Sequence, residues 1–179
     1  PLRLVGSEMC IRDRFDCGEG TQHQFLRCDL RLSQLRRVFI THMHGDHVFG
    51  LPGLLASLGL GGTSNGVDLY GPDPLDAYLQ GVLRTSSTRI GYPLAIHRVR
   101  EAAEQNTVVF EDDDLIVTAA PLNHRVPAYA YRAEQKPRAG RFDIDKAREL
   151  QIPPGPVYAA LKRGESVTLE DGRTIDGRT

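Results

Sequence analysis

The sequence predicts a single α/β domain in a chain of 179 residues. Three observations carry that expectation. Short β-branched and aromatic runs alternate with helical periodicities through the first three quarters of the chain. The apolar fraction is 40% and the charged fraction 25%, ordinary values for a globular protein. The length is enough for one sizeable core and short for two.

The elements follow in order. Arg37-Val38-Phe39-Ile40-Thr41 is a buried-strand run that leads straight into six residues rich in histidine. A helix is expected next, with Pro52 in its first turn, Leu51, Leu54, Leu55 and Leu58 at helical spacing, and Gly61-Gly62 as its stop. Val67 to Tyr70 reads as a second strand. Asp73 is expected to cap a helix beginning at Pro74, with Leu75, Tyr78, Leu79, Val82 and Leu83 on one face. Further strands are expected at Leu94–Val99, Val108–Phe110, Leu115–Ala120 and Ala128–Arg132, with Glu111 to Asp114 as a solvated hairpin turn. After Glu134 large apolar residues thin out and turn signals multiply. That stretch reads as a protruding arm that cannot bury much of itself, with a short helix over Asp145 to Leu150 and a turn at Asp171-Gly172 between two strand-like runs.

Composition narrows the function classes. The net charge of −1 excludes a disordered polyelectrolyte and a strongly basic nucleic-acid wrapper. The charge is uneven: residues 1–131 hold 12 basic and 15 acidic groups, and residues 132–179 hold 10 and 8. The longest near-apolar run, Leu51 to Leu60, is half a membrane span and contains Pro52, Gly53 and Gly59. The first fourteen residues hold five charges and no apolar stretch, and Cys10, Cys17 and Cys28 show no paired spacing. A soluble, cytoplasmic protein with no membrane partner is the expectation.

The chemistry concentrates in His42, His44, Asp46 and His47, the pattern H-x-H-x-D-H. Residues two apart in an extended segment point the same way, so His42 and His44 can close on one ion. Asp46 and His47, after the bend at Gly45, face a second. Zinc takes imidazole nitrogen and carboxylate oxygen, and two ions about 3.5–4 Å apart acidify a shared water and polarise a phosphoryl or acyl oxygen. His124 follows another strand, in Pro121-Leu122-Asn123-His124, and is a candidate third ligand for the first ion. His97, inside a strand, and His23, in a polar helical stretch, read as structural. Cys17 reads as a small buried residue rather than a thiolate ligand.

H-x-H-x-D-H after a buried strand is similar to the metal motif of the metallo-β-lactamase superfamily. Phe15-Asp16-Cys17-Gly18-Glu19-Gly20-Thr21-Gln22, Thr41 to Leu55, Leu69-Tyr70-Gly71-Pro72, Pro121-Leu122-Asn123-His124 and Ile152-Pro153-Pro154-Gly155-Pro156 together resemble the ribonuclease Z family, the tRNA 3′-processing endoribonucleases. The resemblance implies an αββα sandwich, present here as its first half (residues 15–135) plus a tRNA-binding arm (136–179). It implies two zinc ions, His42, His44 and His124 on the first, Asp46 and His47 on the second, and Asp46 also as general base. Asp16 is expected to support a metal-binding histidine from behind. Lys136, Arg138, Arg141, Lys162 and Arg163 become candidate phosphate contacts. The expected reaction removes the 3′ trailer from precursor tRNA, leaving a 3′-hydroxyl on the tRNA and a 5′-phosphate on the trailer, in a homodimer. The rival readings are another hydrolase of the same fold acting on small substrates, and a non-catalytic tRNA-binding module.

The chain departs from the family pattern twice. Residues 1–14 lack the strand, glycine turn and loop that open the family, look like adaptor-derived sequence, and are given no role. No histidine follows His124, which leaves Asp46 and His47 too few to hold a second ion firmly. The chain is therefore expected to be an N-terminal portion, inactive by itself.

Overall fold

The computed structural model describes residues 12–28, 31–62, 65–99, 106–136 and 142–177. Its contacts divide the chain into two compact units, Pro1–Glu134 and Gln135–Thr179. In the first unit, strands β1 (Asp13–Phe15), β2 (Arg37–Phe39), β3 (Val67–Gly71) and β4 (Leu94–Arg98) form one sheet in that order. All three pairings are parallel. Parallel neighbours require crossovers, and helices supply them: α1 (Thr21–Arg27) between β1 and β2, then α2 (Gly45–Val48) and α3 (Leu51–Leu60), then α4 (Leu75–Thr85). A second sheet contains β5 (Thr107–Glu111), β6 (Leu115–Leu122) and β7 (Ala128–Gln135) in that order, with β5 and β6 antiparallel.

The period of two along β2 explains the layering. Val38 and Ile40 turn to one face, where they join Leu51, Leu54, Leu55 and Leu58 of α3 and Leu75 and Leu79 of α4 in the larger core. Phe39, between them, turns to the other face and packs with Tyr70, Val117, Ala119 and Tyr129 against the second sheet. Helices, sheet and sheet therefore make three layers. Val38, Phe39 and Ile40 are all fully buried, as a parallel strand covered on both faces requires.

The helix expected after the histidine-rich segment is split. A single turn over Gly45–Val48 precedes the ten-residue α3, which starts one residue ahead of Pro52 and ends at Gly61. Asp73 does not cap α4. That helix starts at Leu75 with Pro74 at its N-cap and no side-chain cap bond, so Asp73 lies outside the cap position and pairs with Arg98 Nε at 3.2 Å instead. Nor is the β5–β6 turn merely solvated. Asp112 Oδ1 accepts from the backbone N–H groups of Asp114 (2.9 Å) and Leu115 (2.8 Å), and its Oδ2 accepts from Arg37 Nη1 at 2.8 Å.

Arg37 also pairs with Asp13, across the β1–β2 pairing, and lies 4.0 Å above the Phe110 ring. The first sheet thus extends into residues to which the sequence reading gave no role: Asp13 and Arg14 are part of β1, and the Arg12 carbonyl accepts from Arg36 and Arg37 N–H. Residues 1–11 of that stretch lie outside the described residues.

The second unit holds helices α5 (Ile144–Glu149) and α6 (Pro156–Lys162) and the antiparallel hairpin β8 (Ser166–Thr168)–β9 (Thr174–Asp176). Asp143 caps α5 by accepting from Lys146 N–H at 2.9 Å. This unit buries more of itself than its composition led one to expect. Ala147, Ile152, Leu161 and Leu169 form a small core, flanked by Phe142, Val157, Tyr158, Val167 and Ile175. Two helices and a hairpin need few large side chains to close such a core.

Candidate metal centre

β2 ends at Phe39 and the pairing with β3 continues one residue further, where the Ile40 N–H donates to the Tyr70 carbonyl at 2.7 Å. His44 is still extended (φ −68°, ψ 149°) where it meets α2. His42 and His44, two residues apart, therefore present their rings to one side. The turn of helix that follows brings the His47 ring beside that of His42, with centroids 4.0 Å apart. A Cβ at Gly45 would meet the ring of Phe49, an exposed side chain that would have to turn aside.

A two-strand segment brings the third histidine. β6 runs two residues longer than expected, to Leu122, and His124 stands just beyond it. Two bonds from β7 tether this corner to the end of β2: Tyr129 N–H donates to the Thr41 carbonyl (2.9 Å) and the Tyr131 hydroxyl to the Ile40 carbonyl (3.0 Å). Burial lifts the Tyr131 phenol far above its ordinary range, so this donor stays protonated at any physiological pH.

His42, His44 and His124 offer ligand atoms that all lie within 4.8 Å of one another. Their ring centroids are 4.7, 4.9 and 5.0 Å apart, and His44 Nδ1 is 3.3 Å from His124 Nε2. Three imidazole nitrogens converging on one point suit a borderline ion such as zinc, which takes such a set with its fourth position open. His42 is held below the ordinary imidazole pKa, by burial first and then by the neighbouring His47, His44 and His124 rings. Neutral rings are what a metal ligand needs.

His47 and Asp46 stand beside this trio. The His47 ring centroid is 4.0 Å from that of His42, and His47 Nε2 is 3.4 Å from Asp46 Oδ2. The other ring nitrogen, Nδ1, donates to Asp16 Oδ2 at 2.7 Å. Asp16 has φ of +54°, a left-handed conformation that Asp tolerates better than most residues. It is fixed by accepting from the Thr41 N–H at 2.8 Å.

The segment after Asp16 is the floor of the His47 loop. Cys17 N–H donates to the His47 carbonyl (2.7 Å) and Gly50 N–H to the Cys17 carbonyl (2.9 Å). The approach is so close that a Cβ on Gly18 collides with the Asp46 carbonyl, and one on Gly50 with that of Gly18. Cys17 is fully buried, burial pushes its thiol up to about 11, and the converging ligand group among the described residues does not include it.

The remaining candidates are scattered. His97 Nε2 is 2.7 Å from Asp68 and its ring stacks on Tyr70 at 4.5 Å; His23 is on the exposed side of α1. Lys136 and Lys162 are in the second unit, Lys162 as the exposed last residue of α6, and Arg163 after it pairs with Glu165 at 2.6 Å. Arg138 and Arg141 lie outside the described residues. Sequence reasoning passed over Thr41, Tyr129 and Tyr131. Their bonds reach 25, 88 and 91 positions along the chain, and no local pattern announces such partners.

A parallel sheet backed by helices, faced by a second sheet, with histidines converging at the strand ends, defines a metallo-β-lactamase-fold protein. The β-lactamase superfamily domain matches residues 14–148, and the chain belongs to that superfamily, whose fold implies a metal cofactor. Among curated relatives, the Ribonuclease Z of Synechococcus sp. (strain CC9311) is 99% identical over 165 residues, which are 92% of this chain and 52% of that protein. The chain spans about half the length of the curated relatives it matches. Among solved structures, human tRNase Z, short form, is 33% identical with a TM-score of 0.62, over 68% of this chain and 52% of that one. YhfI of Bacillus subtilis, a metallo-β-lactamase fold protein, superposes with a TM-score of 0.50 at 18% identity, over 67% of this chain and 44% of that one. It supports the fold alone. Among the described residues no helix is long and apolar enough to cross a membrane.

Proposed function

We propose that the chain carries the metal-binding half of a cytoplasmic, homodimeric zinc endoribonuclease that removes the 3′ trailer from precursor tRNA. The observation that supports this most is the convergence of His42, His44 and His124 in a chain 99% identical to a Ribonuclease Z. These three residues hold the first ion, and Asp46 and His47 contribute to a second. Bound zinc supplies an acidified water and positive charge where negative charge develops on phosphorus.

The chain's own residues do the rest. His42 and His44 are oriented by an extended backbone, and His124 by the tethers from β7 to Ile40 and Thr41. Asp46 is 79% exposed, which leaves its carboxylate accessible, and it accepts the proton of the attacking water. Asp16 holds the His47 ring. The phosphorus–O3′ bond breaks as the water oxygen bonds to phosphorus, so the phosphate leaves on the trailer and the 3′ oxygen, taking up a proton from solvent, remains on the tRNA as a hydroxyl. Lys136, Arg138, Arg141, Lys162 and Arg163 meet tRNA phosphates away from the cut.

The test compares two substrates in the complete gene product loaded with zinc. Deleting residues 136–174 should reduce precursor-tRNA cleavage by at least ~100-fold, while hydrolysis of bis-p-nitrophenyl phosphate stays within about 3-fold, because remote contacts position the RNA without touching the reacting atoms. Equal loss on both substrates would favour a small-substrate hydrolase of the same fold. A protein that takes up no metal would be a binding module.

A further inference from the structure

We propose that Thr41 is a positioning residue through which the one Asp16 carboxylate sets the ring tautomer of His42 as well as that of His47. The proposal rests on the metal-centre reading above and deepens it: a single anion, directly and by relay, prepares one ligand for each of the two ions.

The geometry is a donor count. A hydroxyl has one proton to give and two lone pairs to receive with, whereas a carboxylate only receives. Thr41 Oγ1 is 3.0 Å from Asp16 Oδ1 and 2.9 Å from Oδ2. Its proton therefore goes to Asp16. What Thr41 Oγ1 then presents to His42 Nδ1, 3.0 Å away, is a lone pair. That contact is a hydrogen bond only if His42 Nδ1 carries the proton, which leaves His42 Nε2 bare.

His47 reaches the same state without an intermediary. Its Nδ1 is 2.7 Å from Asp16 Oδ2 and 3.3 Å from Thr41 Oγ1, so its proton goes to the carboxylate and its Nε2 is bare on the Asp46 side. The hydroxyl cannot drift from this junction. Its own backbone N–H is bonded to Asp16 Oδ1 at 2.8 Å, and its carbonyl accepts from Tyr129 N–H at 2.9 Å.

The consequence is that, in the neutral rings, the correct nitrogen is free before any ion arrives. A neutral imidazole left to water populates mainly the opposite, Nε2–H, form, and the hydrogen bond made by one nitrogen fixes the state of the other. Valine matches threonine in shape and lacks the relay; serine keeps it.

The experiment reads tautomers directly, by ring-nitrogen NMR of the complete gene product stripped of metal, at a pH where the imidazoles are neutral. The parent should show Nδ1–H at both His42 and His47. Thr41→Val should shift His42 toward Nε2–H while His47 keeps Nδ1–H, and Thr41→Ser should resemble the parent. In zinc competition titrations Thr41→Val should weaken the tighter site by ~10-fold or more, within the range for lost outer partners, with Thr41→Ser within about 2-fold. A parent with His42 protonated on Nε2 overturns the proposal whether or not the valine variant folds. So does an unchanged His42 pattern in a folded valine variant. The expected tautomers without zinc uptake would uphold the relay and refute the metal-centre reading instead.

Discussion

The two units differ in how far their polar side chains reach along the chain. In the first, His47 is held by a carboxylate 31 positions away, Arg37 by partners 24 and 75 away, and His44 meets His124 across 80 positions. In the second, the ion pairs are local, Arg148 with Asp145, Arg163 with Glu165 and Arg173 with Asp171, although Arg173 also reaches 23 positions back to the Leu150 carbonyl. Long-range partners fix side chains to within a fraction of an ångström only if both sheets are in place. Local pairs survive any rearrangement of their surroundings. A site that must hold several nitrogens around one ion needs the first kind of construction, and a surface that meets a backbone of repeating phosphates is served by the second.

The sharpest way to break this contrast is at His124. Substitution by alanine should abolish occupancy of the first ion and reduce phosphodiester hydrolysis by more than ~100-fold, above the loss typical of an outer partner, as read by metal content and a chromogenic ester. Because His124 is exposed, the circular dichroism and melting point of the metal-free variant should match those of the metal-free parent. A variant that lost its fold as well would mean that the trio is a structural rather than a ligating cluster.

Next in size is Arg37, the cation that joins β1 and β2 to the β5–β6 hairpin. Its side chain and that of Asp13 are only 11% and 13% exposed, and removing one member of a buried pair strands the other charge. Arg37→Met should destabilise the protein by ~3 kcal/mol in urea unfolding. The pH dependence has a definite sign. Burial raises Asp13 and outweighs the lowering by Arg37, so stability tied to Asp13 is greatest when it is protonated and falls as pH rises through its pKa. Without Arg37 that rise is steeper. The gap between parent and variant should therefore be wider at pH 7 than at pH 4. Asp112 has the opposite sign: burial pushes it up, but the Arg37 guanidinium and two backbone N–H groups outweigh this and hold it below the ordinary carboxylate range. Its contribution is lost as pH falls through the acid range, which reinforces the narrowing.

These cases also show what a sequence reveals. His42, His44, Asp46 and His47 were legible because they are contiguous, and alternation in an extended segment is a local rule. His124 was legible only once that cluster gave it a purpose. The strands around Val38, Leu69 and Val117 declared themselves by β-branched and apolar runs. The single turn at Gly45–Val48 is too short to show a repeat of the helical period, so it merged with α3 in the reading. Asp73 was misplaced, and Asp112, correctly set in its turn, was read without its partner, for one reason: each has a short-range motif, a cap and a turn, and each has a distant arginine that the motif does not mention. Thr41 looked like the last residue of a strand, which it nearly is, and nothing in its neighbours announces a hydroxyl bonded to Asp16.

The smallest expected effect tests the local character of the second unit. Among the described residues Lys162 has no ion-pair partner, whereas Glu165 already holds Arg163 and is itself lowered chiefly by that bond. If both cations meet RNA phosphates, they should not count equally. Each neutralised phosphate contributes about 0.7–0.9 to the slope of log K against log salt. Lys162→Ala should reduce the slope for precursor-tRNA binding by that amount, with a loss of affinity that is uniform across tRNA sequences. Arg163→Ala should reduce it by less than half as much, because the guanidinium must leave a carboxylate before it takes a phosphate. Glu165→Gln, which removes the competitor, should then make Arg163→Ala as costly as Lys162→Ala. None of these three changes should move the unfolding midpoint, since exposed pairs two residues apart contribute little to stability. Equal slopes for the two alanine variants in the Glu165 background would show that the local pair does not restrain Arg163. The self-contained charge pairing of this unit would then be a surface feature without bearing on its RNA contacts.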